Sequence, residues 1–413
     1  MNAVKTAIIG GGAAGLACAV ELAERDRRAE ITVFEHNDRV GKKILATGNG
    51  RCNLTNTHAE CENYRNFSFA GYALSEFTPE SNIAFFNSVG LYTKTDSSGR
   101  VYPMSNQASG VLDCLRFAAE NLGVDIITDF HVDKIQKKNG KFFVGGKGGY
   151  DFLVISTGGK AAPSQGSDGS GYKLLRSFGH KITELSPSLV QLETRSRDFV
   201  KPLKGVRCEV ERALSLDSKT VCRKHGELLF ADYGLSGIVS MEISAFASPY
   251  LHSGGKNAEV SVDFVPAYDK RTLCLYLKKQ LERFPKKSAA DILSGFLPKK
   301  IGSAVMKRLG LSPSAPAEAI SPKAAEKIAF ELKNTAFLLS GTRDFSFAQV
   351  TSGGAEVSEF DPKTMESELC ENLFCAGEIL DVDGDCGGYN LNWAWSSGRL
   401  AAKSIAEKSG VKC

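Results

Sequence analysis

The sequence predicts an α/β protein in which both ends of the chain contribute to one parallel sheet and further domains are inserted between them. Three segments support this fold class: an apolar strand, a glycine turn and a helix in residues 7–23, an apolar strand followed by Thr-Gly-Gly at residues 157–159, and a strand, a glycine loop and a helix in residues 373–406. The 413 residues exceed one typical domain of about 150 residues, and a hydrophobic content of 42% provides for a packed core.

The first 35 residues form a βαβ pattern that is typical of dinucleotide binding. Residues 7–9 are a short apolar strand, and the glycine run after it fits G-x-G-x-x-G through Gly10, Gly12 and Gly15. Gly10 permits a tight turn, Gly12 lets the backbone approach a pyrophosphate, and Gly15 lets the helix pack on the strand. The second strand ends in Glu35, whose carboxylate can accept hydrogen bonds from ribose hydroxyls. An acid at this position favours FAD or NAD over NADP.

The loop after Glu35 favours FAD over NAD. It reads HNDRVGKKILATGNGRCNLTN over residues 36–56, where an NAD dehydrogenase usually continues with regular βαβ units. FAD needs further backbone donors for its ribityl chain and its isoalloxazine ring, and a polar, glycine-rich loop supplies them. Cys52 in this loop is interpreted as a small packed residue, because a flavin disulfide reductase needs a second cysteine closer than Cys61.

Two later segments indicate the same cofactor. One apolar strand leads into Thr157 and Gly158, and glycines there let the returning chain pass beside the cofactor. The last strand is closed by Gly377 and Glu378, and a glycine loop and a helix of small and apolar residues follow. A helix N-terminus aimed at the pyrimidine edge of the flavin would stabilise the negative charge of reduced flavin. The FAD-binding domain is therefore predicted to be split between the two ends of the chain.

Charge and cysteine usage limit the expected partners and compartment. The net charge is +4 and no run of Lys and Arg stands out, so no nucleic-acid partner is predicted, and the basic pairs at 278–279, 286–287 and 299–300 are predicted to be solvated helix faces. Eleven cysteines without a C-x-x-C pair and six histidines without ligand spacing predict no metal site.

Without a secretion signal, the cysteines are expected to be free thiols, which predicts the reducing cytoplasm as the compartment. No apolar stretch approaches the ~20 residues that span a bilayer, so no membrane span is predicted.

Seven blocks of the sequence, spread between residues 8 and 398, resemble one known family. The blocks are IIGGGAAGLACA, VGKKILATGNGRCNLTN, GRVYPMSNQASGVLDCL, LVISTGG, GSDGSGYKLLRSFGH, VTSGGAEVSEFDPKTMES and FCAGEILDVDGDCGGYNLNWAWSSG. Through them the chain resembles a family of bacterial FAD-dependent oxidoreductases that includes the bile-acid Δ4/Δ6 reductase BaiN and aminoacetone oxidase. TGNGRCN and GGYN are the most distinctive motifs.

The resemblance implies a split Rossmann-like FAD-binding domain with an inserted β-rich domain and a small helical domain. The FAD-binding domain would comprise residues 1–190 and 345–413. The β-rich domain would comprise residues 191–265 with a return near 336–344, and the helical insertion residues 266–335. The sequence agrees, because RCEVERALSLDSKTVCRKHGELLF alternates like strands and turns, whereas DKRTLCLYLKKQLERF and SPKAAEKIAFELKNT have helical spacing.

The resemblance also implies which residues contact FAD. Ala14 and Gly15 would contact it at the helix start, Glu35 would contact the ribose, and Val132 would hold the adenine through backbone hydrogen bonds. Further contacts would come from the loop after Glu35 and, near the ribityl chain and flavin ring, from the C-terminal segment: Lys42, Lys43, Thr47, Gly48, Arg51, Asn53, Glu378, Asn390 and Leu391.

The catalytic residues are less defined. Where many relatives read LLFTHYGLSGP, this chain reads LLFADYGLSGI, so Asp232 stands at the position of their histidine. The role of that histidine is either vacant here or taken by Asp232 or Tyr233. Tyr389, beside the C-terminal glycine loop, is a third candidate that either borders the flavin or packs under the loop.

The resemblance implies an NAD(P)H-dependent flavin reductase of an activated C=C bond, such as that of a 3-oxo-Δ4 or 3-oxo-Δ4,6 steroid or bile acid. No second G-x-G-x-x-G with a following acid is evident, so NADH or NADPH is expected to bind transiently as the electron donor. The substrate is expected to be a small apolar molecule. The alternative is a flavin oxidase of a small amine such as aminoacetone with O2 as acceptor, and the flavin motifs do not separate the two. No pattern indicates an oligomeric state.

Overall fold

A computed structural model describes residues 3–411 of the chain, so residues 1–2 and 412–413 of the predicted FAD-binding domain lie outside the described part. The chain divides into two compact units, the first formed by Met1–Ser186 with Gln349–Cys413 and the second by Pro187–Ala348. The first unit therefore comes from both ends of the chain, and the second is inserted between them. The finer domain limits given above stay a prediction.

The first unit contains a five-stranded parallel sheet. Lys5–Ile9 lies in its centre and pairs with Glu30–Phe34 on one side and with Phe152–Ile155 on the other. Asp125–Ile127 and Leu373–Cys375 form the two edges. The central strands are buried on both faces, which explains why their sequences are continuous apolar runs without polar alternation. The predicted α/β class with a Rossmann-like sheet is confirmed.

Two helices of the first unit, Ala13–Arg25 and Tyr389–Lys408, pack closely against each other. A methyl group at Gly398 would overlap the carbonyl oxygen of Ala14, so this approach requires glycine. The helix that follows the glycine turn is thus held in place by the last helix of the first unit.

The two tryptophans of the last helix also fix it to distant segments. Both side chains are fully buried. Trp393 donates its indole N–H to the carbonyl oxygen of Gly377 at 3.2 Å, and Trp395 donates to that of Leu54 at 2.9 Å. Buried indole N–H groups need such partners, so the contacts set the position of the helix.

The remaining elements of the first unit are short. Thr55–Asn56, Thr93–Thr95 and Arg100–Pro103 form one small antiparallel sheet, and Ile135–Lys138, Lys141–Val144 and Lys147–Tyr150 form another. Its other α-helices are Lys42–Ala46, Phe67–Glu76, Pro79–Ser88, Ala108–Asn121 and Ser170–Ser177. Val350–Ser352 is a further short strand of this unit, and the short strand Ser186–Ser188 spans the boundary at which the second unit begins.

The second unit is built on a closed six-stranded antiparallel barrel. The strands follow one another around the barrel in the order Leu192–Thr194, Gly234–Ser236, Lys219–Phe230, Arg207–Leu216, Ala258–Asp263 and Thr335–Thr342. Its helices are Arg197–Val200, Ile238–His252, Lys270–Arg283, Ala289–Leu293, Lys299–Arg308 and Pro322–Lys333. The strands predicted in RCEVERALSLDSKTVCRKHGELLF are confirmed as the longest hairpin of the barrel.

Two predicted helices of the second unit are confirmed with their N-terminal caps. Asp269 caps Lys270–Arg283 by accepting a hydrogen bond of 2.8 Å from the Thr272 N–H. Ser321 caps Pro322–Lys333, which has proline at its first position. Within residues 3–411, none of the helices combines the length and apolar character that crossing a membrane requires.

Candidate functional site

The glycine turn after the central strand leaves open space at the start of a helix. Gly10 has a φ of +102°, and a methyl group there would lie 2.7 Å from the Ser156 carbonyl oxygen. Within the described residues, a methyl group at Gly12 would meet no atom within 4 Å. The helix Ala13–Arg25 begins at the next residue, and the first N–H groups of a helix favour anions. The turn therefore fits a pyrophosphate.

Glu35 is held beside this turn at the end of the neighbouring strand. One carboxylate oxygen accepts a hydrogen bond of 2.9 Å from the Gly11 N–H. The other accepts bonds of 2.9 Å and 2.7 Å from the backbone and side-chain N–H groups of Asn37. The residue is only 6% exposed, so these bonds fix its position. A carboxylate has about four acceptor sites, which leaves capacity for ribose hydroxyls.

The loop after Glu35 coils through several residues with left-handed backbone. Gly48, Asn49 and Cys52 have φ values of +57°, +56° and +57°. Gly and Asn tolerate this conformation, which explains the composition of the motif. Cys52 is fully buried, and burial raises the pKa of its thiol to about 12. It is a protonated, packed side chain, as the sequence predicted.

Two predicted cofactor residues carry buried polar atoms that lack a partner. Asn53 Oδ1 and Thr157 Oγ1 are shielded from solvent and make no hydrogen bond within residues 3–411. A buried polar atom without a partner costs about 1–3 kcal/mol. Asn53 lies on the loop after Glu35, and Thr157 follows the strand Phe152–Ile155. Both atoms fit a polar partner that a bound cofactor would supply.

A charged pair links this loop with the C-terminal segment. Lys43 Nζ lies 2.8 Å from Glu378 Oε2, and the other oxygen of Glu378 accepts a hydrogen bond of 2.7 Å from the Thr351 N–H. The Thr351 hydroxyl oxygen accepts bonds of 2.7 Å and 3.0 Å from the N–H groups of Lys160 and Ala161. Thr351 is absent from the residues predicted above, and its place in the block VTSGGAE was the signal that could have found it.

Asn390 closes the glycine loop at the start of the last helix. Its side-chain oxygen accepts a hydrogen bond of 2.8 Å from the Gly384 N–H, and its amide donates to the carbonyl oxygens of Gly384 and Asp385 at 2.8 Å and 3.2 Å. The helix follows Gly388, which has a φ of +103°. The side chain of Asn390 thus stabilises the loop, and contacts of Asn390 and Leu391 with a cofactor would come from backbone N–H groups of the first turn.

The predicted cofactor segments share one edge of the sheet, because each follows the carboxyl end of a parallel strand. The glycine turn follows Lys5–Ile9, Glu35 follows Glu30–Phe34, Val132 lies in the loop after Asp125–Ile127, Thr157 and Gly158 follow Phe152–Ile155, and Gly377 and Glu378 follow Leu373–Cys375. We call this region the strand-end edge. Hydrogen bonds tie its parts together, since the Glu35 N–H donates to Ile127 and the Phe130 N–H donates to Glu35, both at 2.9 Å.

Three loop residues predicted to contact FAD have side-chain contacts with other residues of the protein. Lys42 Nζ lies 2.8 Å from Asp38 Oδ1. The Arg51 guanidinium lies 4.8 Å from the centre of the Tyr102 ring, in cation–π geometry. The Thr47 hydroxyl donates to a carbonyl oxygen one turn earlier. The cofactor contacts of these side chains stay predictions.

The three candidate catalytic residues differ in their surroundings. Asp232 in the second unit is exposed and lies 2.7 Å from Lys204 Nζ, and this ammonium lowers the pKa of the carboxyl. Asp232 is therefore ionised at neutral pH and unsuited to donate a proton. Tyr233 packs its ring 5.0 Å from the Arg343 guanidinium. Tyr389 lies in the first unit, in the first turn of the last helix.

A known protein family matches nearly the whole length of the chain. The model of the HI0933-like protein Rossmann domain matches residues 4–404. The chain belongs to the HI0933-like family. This assignment confirms FAD as the cofactor and the class of FAD-dependent oxidoreductases, and it agrees with the open glycine turn and the buried acid at the strand-end edge.

Three relatives of this HI0933-like chain align over almost their full lengths. A 3-dehydro-bile acid delta(4,6)-reductase of Clostridium scindens is 37% identical over 97% of this chain and 98% of its own length. Ribosomal RNA dihydrouridine synthases of Escherichia coli and Haemophilus influenzae are 30% and 29% identical, each over 97% of this chain and 98% of its own length. The relatives thus carry the names of two substrate classes, a bile acid and an RNA.

Proposed function

We propose that this HI0933-like protein is a FAD-dependent reductase that takes electrons from NADH or NADPH and reduces a C=C bond conjugated to a carbonyl group. The observation that carries the proposal is the 37% identity, over 97% of the chain, to a 3-dehydro-bile acid delta(4,6)-reductase. The substrate class that this relative indicates is a 3-oxo-Δ4 or 3-oxo-Δ4,6 steroid or bile acid, which is small and apolar.

The strand-end edge would hold the cofactor. Gly12 and the start of the helix Ala13–Arg25 would bind the pyrophosphate, and Glu35 would accept hydrogen bonds from the ribose. The orphaned oxygens of Asn53 and Thr157 would gain polar partners. When bound, FAD supplies the hydride chemistry, whereas the protein supplies binding, orientation and electrostatics.

The chain must also supply a proton donor and a group that stabilises the carbonyl oxygen as it gains negative charge. Tyr233 and Tyr389 carry hydroxyl groups that can donate a proton, whereas Lys204 holds Asp232 in its ionised form. The helix Tyr389–Lys408 has 20 residues, and the partial positive charge at its start favours a negative charge nearby.

The proposal is tested by mixing the purified, FAD-loaded protein with NADH or NADPH in the absence of oxygen. We expect the absorbance of oxidised flavin to disappear and to return when a 3-oxo-Δ4 steroid is added, with the saturated ketone as product. If neither nucleotide reduces the flavin, the proposal fails. Peroxide release from aminoacetone in air would instead support the amine oxidase alternative.

A second substrate class has support from the two ribosomal RNA dihydrouridine synthases, at 30% and 29% identity. The uracil ring contains a C=C bond conjugated to a carbonyl group, so its reduction needs the same chemistry on a different molecule. The same assay distinguishes the two substrates. Flavin reoxidation by ribosomal RNA together with dihydrouridine in the product would identify RNA, whereas reoxidation by the steroid alone would identify the bile-acid class.

A further inference from the structure

The small net charge of the whole chain, from which no nucleic-acid partner was predicted above, hides a strong local excess of positive charge. Residues 266–335 contain 14 Lys and Arg against 6 Asp and Glu, a net charge of +8. The other 343 residues contain 37 Lys and Arg against 41 Asp and Glu, a net charge of −4. An asymmetry of this size within one chain is typical of a segment that attracts a polyanion.

Most of these cations are available to solvent and are not neutralised by neighbours. Twelve of the 14 are exposed, and only Lys278 and Lys333 are half-buried. Lys278, Lys299 and Arg308 pair with carboxylates of the same segment. Within the part of the chain that the structure describes, Arg271 and Lys279 pair with no carboxylate, and the same holds for Arg283, Lys286, Lys300 and Lys327.

The helix Lys270–Arg283 presents three of the cations on one face. Arg271, Lys279 and Arg283 are spaced by eight and four residues, so they project on the same side of a helix. The opposite face is anchored in the core by its three buried residues Leu273, Leu277 and Leu281. Lys278 Nζ, at 2.7 Å from Glu326 Oε1, links this helix to Pro322–Lys333. The cationic face is therefore part of a packed helix pair.

Exposed aromatic rings lie among these cations. Tyr276 and Phe330 are 44% and 48% exposed. Tyr268 packs edge to face against Tyr276 with 5.4 Å between ring centres, and Lys270 Nζ lies 4.5 Å from the centre of the Phe330 ring. Aromatic rings in a cationic surface are the groups on which unpaired bases stack while cations contact phosphates.

We propose that this face is an RNA-docking surface, formed by Arg271, Lys279 and Arg283 with the rings of Tyr268 and Tyr276. We refer to it as the basic helical surface. This proposal rests on the second substrate class under the proposed function, in which uracil in RNA is reduced. It adds the surface at which the chain would hold that RNA. The phosphates would contact the three cations, and an unpaired base would stack on an exposed ring.

A membrane surface fits these features less well than RNA. A helix that lies on a membrane turns its broad apolar face to the lipid. Lys270–Arg283 instead buries its apolar face, Leu273, Leu277 and Leu281, inside its own unit. Outside the core this helix exposes four cations and Tyr276, together with one acid, Glu282, and one large apolar side chain, Leu275. A single exposed leucine between cations does not form the broad apolar face that lipid requires, so the surface suits a polyanion with exposed bases better.

The test compares two triple variants of the full-length, FAD-loaded protein. R271Q/K279Q/R283Q removes three cations of the basic helical surface, and R27Q/K94Q/K363Q removes three exposed cations of the first unit. The probe is a fluorescent RNA hairpin with uridines in its loop, and the readout is anisotropy at several salt concentrations. We expect the first variant to bind at least about tenfold more weakly and its salt slope to fall by about 2, since each lost phosphate contact removes ~0.7–0.9. The second variant should bind like the wild type.

The contribution of stacking is tested at one ring. Tyr276→Ala should weaken binding to the hairpin about tenfold, whereas Tyr276→Phe should keep it, because phenylalanine retains the ring on which a base stacks. Equal loss in both variants would contradict stacking on this ring. Duplex DNA and vesicles of phosphatidylserine and phosphatidylcholine serve as competitors, and equally tight binding of either would overturn the assignment to RNA.

Reduction of the flavin by NADH or NADPH separates this proposal from the proposed function. Both triple variants should be reduced at the wild-type rate, because their substitutions lie outside the strand-end edge. If the flavin is not reduced in any protein but RNA binding depends on Arg271, Lys279 and Arg283, the reductase proposal fails and the docking surface stands. If the flavin is reduced and both triple variants bind RNA like the wild type, the docking surface is wrong.

Discussion

The strand-end edge of the first unit and the basic helical surface of the second hold their charged groups in opposite ways. At the strand-end edge, Glu35 is buried and accepts hydrogen bonds from three N–H groups, and Lys43 pairs with Glu378. On the basic helical surface, Arg271 and Lys279 are exposed. The first arrangement fixes single atoms, so one substitution should have a large effect. The second shares its attraction among three exposed cations, so the loss of affinity should grow stepwise with the number of cations removed.

The largest effect of a single substitution at the strand-end edge is expected at Gly15. A methyl group there would overlap the Gly10 carbonyl oxygen and lie 2.7 Å from Ser156 Oγ. Gly15→Ala should therefore push the helix Ala13–Arg25 away from the glycine turn, at a cost of about 1–3 kcal/mol for overpacking, and abolish stable FAD binding. The ratio of flavin to purified protein and the thermal midpoint measure the two effects.

Gly12→Ala is the matched control for that substitution. Within the described residues, its methyl group would meet no atom within 4 Å, so the FAD-free protein should keep its wild-type thermal midpoint. Its affinity for FAD should still fall, because the methyl group would occupy the space that the pyrophosphate needs. Wild-type affinity in Gly12→Ala would show that the open space at this turn is not the cofactor site.

A smaller but specific loss is expected at Glu35. In Glu35→Gln, one oxygen is replaced by an NH2 group that faces either the Gly11 N–H or the N–H groups of Asn37. Two donors then face each other in a buried site, which costs about 1–3 kcal/mol. This cost lowers the stability of the FAD-free and FAD-bound protein alike. FAD affinity, measured by titrating the FAD-free protein, should fall about tenfold because the glutamine offers the ribose hydroxyls one acceptor oxygen fewer. The exposed Asp129→Asn is the control, and an equal fall in both variants would contradict a specific role for Glu35.

The sequence predicted those parts of the site that local patterns encode. Gly10, Gly12 and Glu35 fall within one βαβ unit, where strand and helix lengths determine which residues reach the sheet edge. The strand Leu373–Cys375 could be placed in the same sheet because it too is followed by a glycine-rich loop and a helix. The structure describes these residues at one sheet edge, which follows from parallel pairing.

Contacts between residues distant in sequence could not be predicted. The bonds of Thr351 to Glu378, Lys160 and Ala161 join three separate segments, and no spacing rule connects them. The loop-closing bonds of Asn390 depend on the path of the glycine loop. The order of strands around the barrel likewise arises from long-range pairing, which has no local pattern in the chain.

The smallest effect is expected at Asp232, whose carboxylate is exposed, whereas that of Glu35 is buried. Its pKa is lowered by Lys204, so its proton is lost below the pH range in which the protein would work, and its ion pair lies in solvent. Asp232→Asn should leave the thermal midpoint and the rate of substrate-dependent flavin reoxidation unchanged between pH 6 and 8 (about the range above its ordinary pKa). Asp198→Asn, another exposed acid of the second unit, is the control. A tenfold slower reoxidation in Asp232→Asn alone would show that Asp232 acts in proton transfer despite its ion pair. Exposure would then not make a charged group replaceable, and the contrast between buried and exposed groups would fail at this residue.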